Sequence, residues 1–236
     1  MKALGVAAML AAAVPTLAAA QSGPCRLALA FALDVSASVN ESEYRLQLDG
    51  LTAGLRDPAV RAAILSPGGG IALAAYEWSG RNQQVMIAPW TMVTTDAALD
   101  SFAGLVTTHR RSFSEFPTAI GYALGYGAVL LRDAPPCLRR VIDISGDGLL
   151  NDGFGPDAAY REFEFDSVTV NGLVVGGEDL ELISFYQFYI AHGPGAFVEV
   201  ARDYTDYPRA MKRKLLREIG ADFVTERSID ANGQLP

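Results

Sequence analysis

Leu27-Ala28-Leu29-Ala30-Phe31-Ala32-Leu33-Asp34-Val35-Ser36-Ala37-Ser38 is the stretch that decides the fold. Residues 27–33 form a short apolar run, as a buried strand does, and the run ends on a carboxylate followed by two alternating hydroxyls. Directly beyond, Asn40-Glu41-Ser42-Glu43 opens a helix-like segment with Asn40 as its cap. In an open parallel sheet, ligands gather at such strand-to-helix junctions, outside the carboxyl ends of the strands. One carboxylate and two hydroxyls there suit a hard cation such as Mg2+, which takes oxygen ligands.

Outward from this stretch, strand-like runs at residues 71–78, 140–144, 167–175 and 197–201 alternate with helix-like ones at 41–55, 96–106, 119–131, 157–163, 180–190 and 206–219. Such alternation marks a mainly parallel sheet covered by helices on both faces. One more run, 84–88, follows the polar turn Gly80-Arg81-Asn82-Gln83 too closely for a crossover helix, so it is expected to pair antiparallel at an edge. The predicted fold class is α/β, with a six-stranded sheet in one domain over residues 21–220 and a frayed tail at 221–236. No repeat, low-complexity tract or linker divides the chain.

The chain has 236 residues and a formal net charge of -8. Its first twenty residues read as a signal peptide: Lys2 is the positive end, residues 4–14 the apolar core, and Ala18-Ala19-Ala20 a cleavage site before Gln21. The mature protein is therefore expected to be periplasmic or secreted. Pro15 interrupts a stretch that is marginal for the roughly 20 apolar residues of a membrane span, and Pro24 stands before Cys25 where a lipid-anchoring signal wants a small residue. The acidic balance argues against nucleic acid or an anionic membrane as the main partner. The densest basic stretch, residues 209–217, is interleaved with apolar residues and reads as one solvated helix face.

Cys25 and Cys137 are the only cysteines, and an even pair in an oxidising compartment invites a disulfide. Cys25 lies nine residues before Asp34 and Cys137 ten before Asp147, each at the start of a strand-like run. If those two strands are adjacent and parallel, both thiols fall at the same sheet edge, within bonding reach.

Asp147, in Asp143-Ile144-Ser145-Gly146-Asp147-Gly148, ends a later strand as Asp34 ends the first. Between them, Phe116-Pro117-Thr118-Ala119-Ile120 places Thr118 where it would serve as helix N-cap and oxygen ligand. Asp34, Ser36, Ser38, Thr118 and Asp147 thus form a candidate metal set from three loops. Taken singly, each has an ordinary reading: Ser-x-Ser and Thr as helix caps, Asp-Gly as a turn. Their order on three strand ends is what singles them out.

Together, Asp34-Val35-Ser36-Ala37-Ser38, Thr118 and Asp147 resemble the metal-ion-dependent adhesion site (MIDAS) of von Willebrand factor A-type domains. Tyr76-Glu77-Trp78-Ser79-Gly80 and the segment 140–148 are similar to an uncharacterised, exported bacterial subgroup of the DUF1194 type. The resemblance implies a Rossmann-like, doubly wound sheet of order 3-2-1-4-5-6, which sets the first and fourth strands side by side and so supports the Cys25–Cys137 bridge. It further implies that Ser36, Ser38 and Thr118 coordinate Mg2+, or Mn2+ or Ca2+, directly or through water. Asp34 and Asp147 would balance charge, and an acidic residue of a partner protein would complete the sphere. Pro117 stands where glycine is common, and Ser145-Gly146 where threonine is frequent.

An enzyme alternative comes from Gly146-Asp147-Gly148-Leu149-Leu150-Asn151-Asp152, which resembles the late acidic motif of haloacid-dehalogenase-type phosphatases with one residue inserted. That chemistry needs a second aspartate where Ser36 stands, and a lysine upstream of the acidic motif, whereas the chain has none between Lys2 and Lys212. A third alternative is a degenerate domain of the same fold, a scaffold without metal. Glu77, Arg81, His109 to Arg111 and Leu149 to Asp152 are expected at the ligand rim, His109 facing solvent. Asp143, inside an apolar run, is expected to be a hydrogen-bonded structural residue. The aromatic stretch Phe185, Tyr186, Phe188 and Tyr189 is expected in the core.

Overall fold

A computed structural model describes the backbone over residues 24–227 and side chains over 24–220; the expected signal peptide and residues 228–236 lie outside the described residues. The central strand is β1 (Cys25–Asp34), buried along its whole length. It is flanked in parallel by β2 (Ile71–Trp78) and β4 (Cys137–Gly146). The antiparallel edge strand β3 (Gln84–Val93) pairs with β2, and β5 (Val168–Val175) and β6 (Val198–Ala201) extend the other side in parallel. The order is β3-β2-β1-β4-β5-β6, the six-stranded, doubly wound arrangement expected.

The two faces of β1 carry different side chains. Leu27, Leu29, Phe31 and Leu33 enter one core, with α1 (Glu41–Arg56), α2 (Pro58–Ile64), α3 (Asp96–Thr108) and α7 (Tyr207–Arg227) packed over it. Ala28, Ala30 and Ala32 face the other core, under α4 (Ile120–Arg132), α5 (Pro156–Glu162), α6 (Leu180–Phe185) and a π-helical turn, Tyr186–Ile190. The alanine face lets α4 lie close: a Cβ on Gly127 would come 2.6 Å from Tyr76 Oη and 2.8 Å from Ile142 Cδ1. Both faces being covered is why β1 reads as a continuous apolar run.

Cys25 and Cys137 are register partners on β1 and β4, with Cα atoms 4.4 Å apart, and they form a disulfide. The bridge clamps the two strands at the end opposite Asp34. Four elements depart from expectation. Asp57, after α1, accepts from Ala59 N and starts α2 with Pro58 in its first turn, where the missing N–H costs nothing. β3 runs on through Pro89 to Val93 by a register shift near Ala75 and Ala88; the edge position tolerates the proline. The expected single helix over 180–190 divides into α6 and the π turn, closed by Ala191 N donating to Tyr186 O. α7 continues to Arg227, so the tail expected to fray from 221 begins helical.

Asp143 on β4 is structural as expected, but its partner is an ion. Lys214 of α7, fully buried, sits 2.8 Å from Asp143 Oδ2 and 2.6 Å from Glu218 Oε1, and Asn171 Nδ2 donates to the same Glu218 oxygen. This network joins α7 to β4 and β5 beneath the sheet. Removing the cation strands two buried carboxylates, so Lys214→Met is expected to cost about 3–5 kcal/mol of stability. Urea unfolding followed by circular dichroism measures that loss.

Candidate metal centre

The junction after β1 is tightly determined. Val35 N donates to Trp78 O, Ser36 N to Asp34 Oδ1 at 2.7 Å, and Ala37 N to Phe116 O, which lashes the loop to its neighbours on both sides. Ser36 Oγ lies 3.1 Å from Ser38 Oγ, and Ser38 Oγ donates to Asp147 Oδ1 at 2.6 Å, joining the β1 and β4 strand ends. Thr118, buried, is clasped by Asn151: Thr118 N donates to Asn151 Oδ1 at 2.8 Å and Asn151 N to Thr118 O at 3.2 Å. Around Gly148 the loops converge, for a Cβ there would stand 3.4 Å from Thr118 Oγ1 and 3.8 Å from Ser38 Oγ. The structure thus gathers all five side chains of the candidate set at one end of the sheet.

The ordinary readings of these residues lose their footing here. Asn40, with Glu43 in a reciprocal capping box, caps α1, which frees Ser36 and Ser38 from that duty. Thr118 does not cap α4 as expected; the cap position is Ala119, with no side-chain hydrogen bond. Gly148 is absent from the positive-φ positions, so no left-handed turn conformation requires glycine there. Glycine here keeps space open above two hydroxyls.

The electrostatics fit a cation. Asp34 is fully buried and its Oδ2 has no hydrogen-bond partner. Burial, with the charge of Asp147 adding to it, pushes the Asp34 carboxyl up to about 7. A fully buried carboxylate facing a second, partly exposed one is costly, and a divalent ion bound between them would relieve both. Tyr186 Oη is likewise buried and unpartnered; burial first, then Asp34 and Asp147, raise its pKa well above the usual phenol value. A Cβ on Gly146 would sit 2.6 Å from that hydroxyl and 2.9 Å from Asp34 Oδ2. Among the described residues no group of three or more His, Cys, Asp and Glu could hold a metal, so the donor set is two carboxylates with three hydroxyls, an all-oxygen set of the kind hard cations take.

A family model described as "Protein of unknown function (DUF1194)" matches residues 24–223. The chain belongs to the DUF1194 family. No curated protein matches it in sequence. Among solved structures, this DUF1194 protein is similar to proximal thread matrix protein 1 from the mussel byssus with a zinc-occupied MIDAS motif (TM-score 0.59, 15% identity, 84% of this chain and 49% of that one). It is similar also to a von Willebrand factor type A protein from Catenulispora acidiphila (0.58, 14%, 83% and 43%) and to the PilB minor pilin from Streptococcus sanguinis (0.60, 12%, 84% and 62%). The fold is that of a von Willebrand factor A-type domain. The DUF1194 chain spans less than two thirds of each of these proteins.

The rim of the DUF1194 site differs from expectation. Glu77 is wholly buried: it accepts from Tyr44 Oη at 2.9 Å and from Ser112 N at 2.9 Å, and His109 Nε2 lies 3.3 Å from it. His109 therefore turns inward instead of facing solvent, and this pair anchors the loop after α3. Arg81 and Asp152 are at the surface but spend their charge on each other, in a two-pronged bond of 2.6 and 3.0 Å that holds the Asp152 carboxyl below its usual range.

Two supporting roles escaped the sequence reading, that of Gln47 and the inward turn of Arg111, a residue expected at the rim. Gln47 of α1, buried, donates to Asp34 O and accepts from Ser145 Oγ, which itself receives Tyr207 Oη of α7 at 3.1 Å. Its signal was a polar residue on the apolar face of a helix. Arg111 Nη2 donates to the carbonyls of Val35 and Ser36, placing a guanidinium behind the hydroxyl loop.

Replacing Asp34 by asparagine removes a buried charge while keeping the oxygen that Ser36 N binds. In chelator-treated protein at pH 8, Asp34→Asn is expected to raise stability by about 1–2 kcal/mol. Thermal denaturation of the variant beside the parent reads this directly, and a lower midpoint for the variant would count against charge burial there.

Proposed function

We propose that this protein is an exported, divalent-cation-dependent protein-binding module of adhesion type. Asp34, Ser36, Ser38, Thr118 and Asp147 would hold Mg2+, or Mn2+ or Ca2+, and a carboxylate on a partner protein would complete its coordination. The observation that carries this reading is the buried, unpartnered Asp34 Oδ2 at a junction where Ser38 Oγ bonds Asp147. The zinc-occupied MIDAS motif of the mussel relative supports a divalent ion in such a fold. The metal would supply a Lewis-acidic position for an incoming oxygen. The protein's own residues would do the rest: hydroxyls of Ser36, Ser38 and Thr118 orient the ion, the two aspartates set its charge, and Arg111 offsets the acidity that would repel an approaching carboxylate.

Phosphatase chemistry finds no matching lysine: Lys212 pairs with Asp57 and Lys214 is buried with Asp143 and Glu218, both on α7 and under the sheet. Calorimetric titration of Mg2+ and Mn2+ into chelator-treated protein is expected to show saturable binding in the parent, weakened at least tenfold by Asp34→Ala and by Thr118→Ala. Absence of heat together with absence of thermal stabilisation in the parent would sink the metal reading. For export, N-terminal sequencing of the protein recovered outside the cytoplasm is expected to begin at Gln21; an intact Met1 there would contradict cleavage.

A further inference from the structure

Beside the candidate centre lies a groove of about 490 Å³ lined by Leu149, Leu150, Ser184, Phe185, Phe188 and Tyr189, with Glu181 its one charged wall. It begins two residues beyond Asp147, hence within roughly 7 Å of it along the chain. Phe188 is 78% exposed and Tyr189 50%, against the expectation that this aromatic stretch is core. The π turn explains the split. Its one-residue offset turns Tyr186 inward against the metal loop, leaving Phe188 and Tyr189 outside, with the Tyr189 ring 5.6 Å from Phe185. The same turn thus builds the wall of the centre and the floor of the groove.

We infer that the groove seats a large apolar side chain of the partner, carried two or three residues from the acidic residue that reaches the metal. This rests on the metal-dependent reading above. Three features on this face select that occupant. The aspartates and hydroxyls provide for a cation and its anionic ligand, the adjoining walls are apolar, and an extended chain rising about 3.3 Å per residue covers the gap in two to three steps. Glu181 disfavours a second acid at the groove, so the recognised segment is a single Asp or Glu with Leu, Ile, Met or Phe two or three residues away. Exposed apolar clusters of this kind on a charged surface mark interaction sites, and the side chain gains from burial there.

The test is selection of displayed random heptapeptides on the full-length mature protein in Mg2+, and in chelator as control. Peptides enriched only with Mg2+ are expected to share an acidic position with a large apolar residue two or three places away. A synthetic copy of the best peptide is expected to bind Phe188→Ser or Leu150→Ser about tenfold more weakly, while Mg2+ binding by calorimetry stays at the parent value. Phe188 is exposed enough that its loss leaves folding intact, which circular dichroism checks. Enriched peptides sharing the acid but no apolar position would overturn the groove and leave the metal reading standing, as would unchanged affinity in both variants. Enrichment that survives chelator would overturn the coupling of groove to centre. A concentration-dependent dimer abolished by Phe188→Ser would overturn the proposal in favour of a second copy of the chain. Failure of Mg2+ to bind at all would instead remove the reading on which the proposal rests.

Discussion

Everything at the candidate site depends on the side-by-side pairing of β1 with β4, which brings the buried Asp34 and the partly exposed Asp147 to neighbouring strand ends. Like charges held this way repel, and the chain cannot relieve them by spreading the strands. The disulfide fixes the far end of the pair, side chains fill both faces of β1, and hydrogen bonds to β2 and Phe116 hold the junction. Relief must come from a proton, which the raised Asp34 pKa expresses, or from a cation. A fold that closes off other routes gives two carboxylates, whose isolated presence would mean little, the character of a candidate cation site.

The supporting polar groups follow from the same constraint. A strand end buried this deeply leaves carbonyls and carboxylates that water cannot reach, and each needs a donor. Gln47 reaches up from α1 to Asp34 O, Arg111 reaches in to the Val35 and Ser36 carbonyls, and Asn151 ties both backbone groups of Thr118. These residues fix the backbone of the loops that carry Ser36 and Thr118, and so limit where their hydroxyls stand.

The fold was legible because β1 is apolar on both faces, because β2 begins and ends at clear breaks, and because hydroxyls and carboxylates sit in fixed order at strand ends. Apart from Gln47, a polar residue on an apolar helix face, what escaped had no compositional mark. Asp57-Pro58 reads as a helix stop, although an aspartate that ends one helix can cap the next. Pro89 truncates β3 on paper because a proline in a strand-like run reads as its end, even at an edge position that tolerates it. A π turn changes one hydrogen bond and no residue type. Glu77 and His109 looked like rim residues since a glutamate and a histidine read the same whether buried or exposed; only the three-dimensional packing of Tyr44 and Ser112 against Glu77 tells the two settings apart.

That correction bears on how a partner would be recognised. With Glu77 and His109 turned inward and Arg81 neutralised by Asp152, the charges expected to read a partner are largely spent on the protein itself. Exposed charge pairs of the Arg81–Asp152 kind contribute little energy in water and hold loops more than they discriminate ligands. Discrimination then falls to shape and apolar contact around the ion, on the side where β4 gives way to Leu149 and Leu150 and the π turn presents its rings. Charge would bring an acidic residue to the centre, and neighbouring apolar surface would decide which acidic residue stays. The division is physically sensible for a protein that is itself acidic, because a carboxylate is common on any partner surface, whereas a carboxylate with a large apolar neighbour at a set spacing is not.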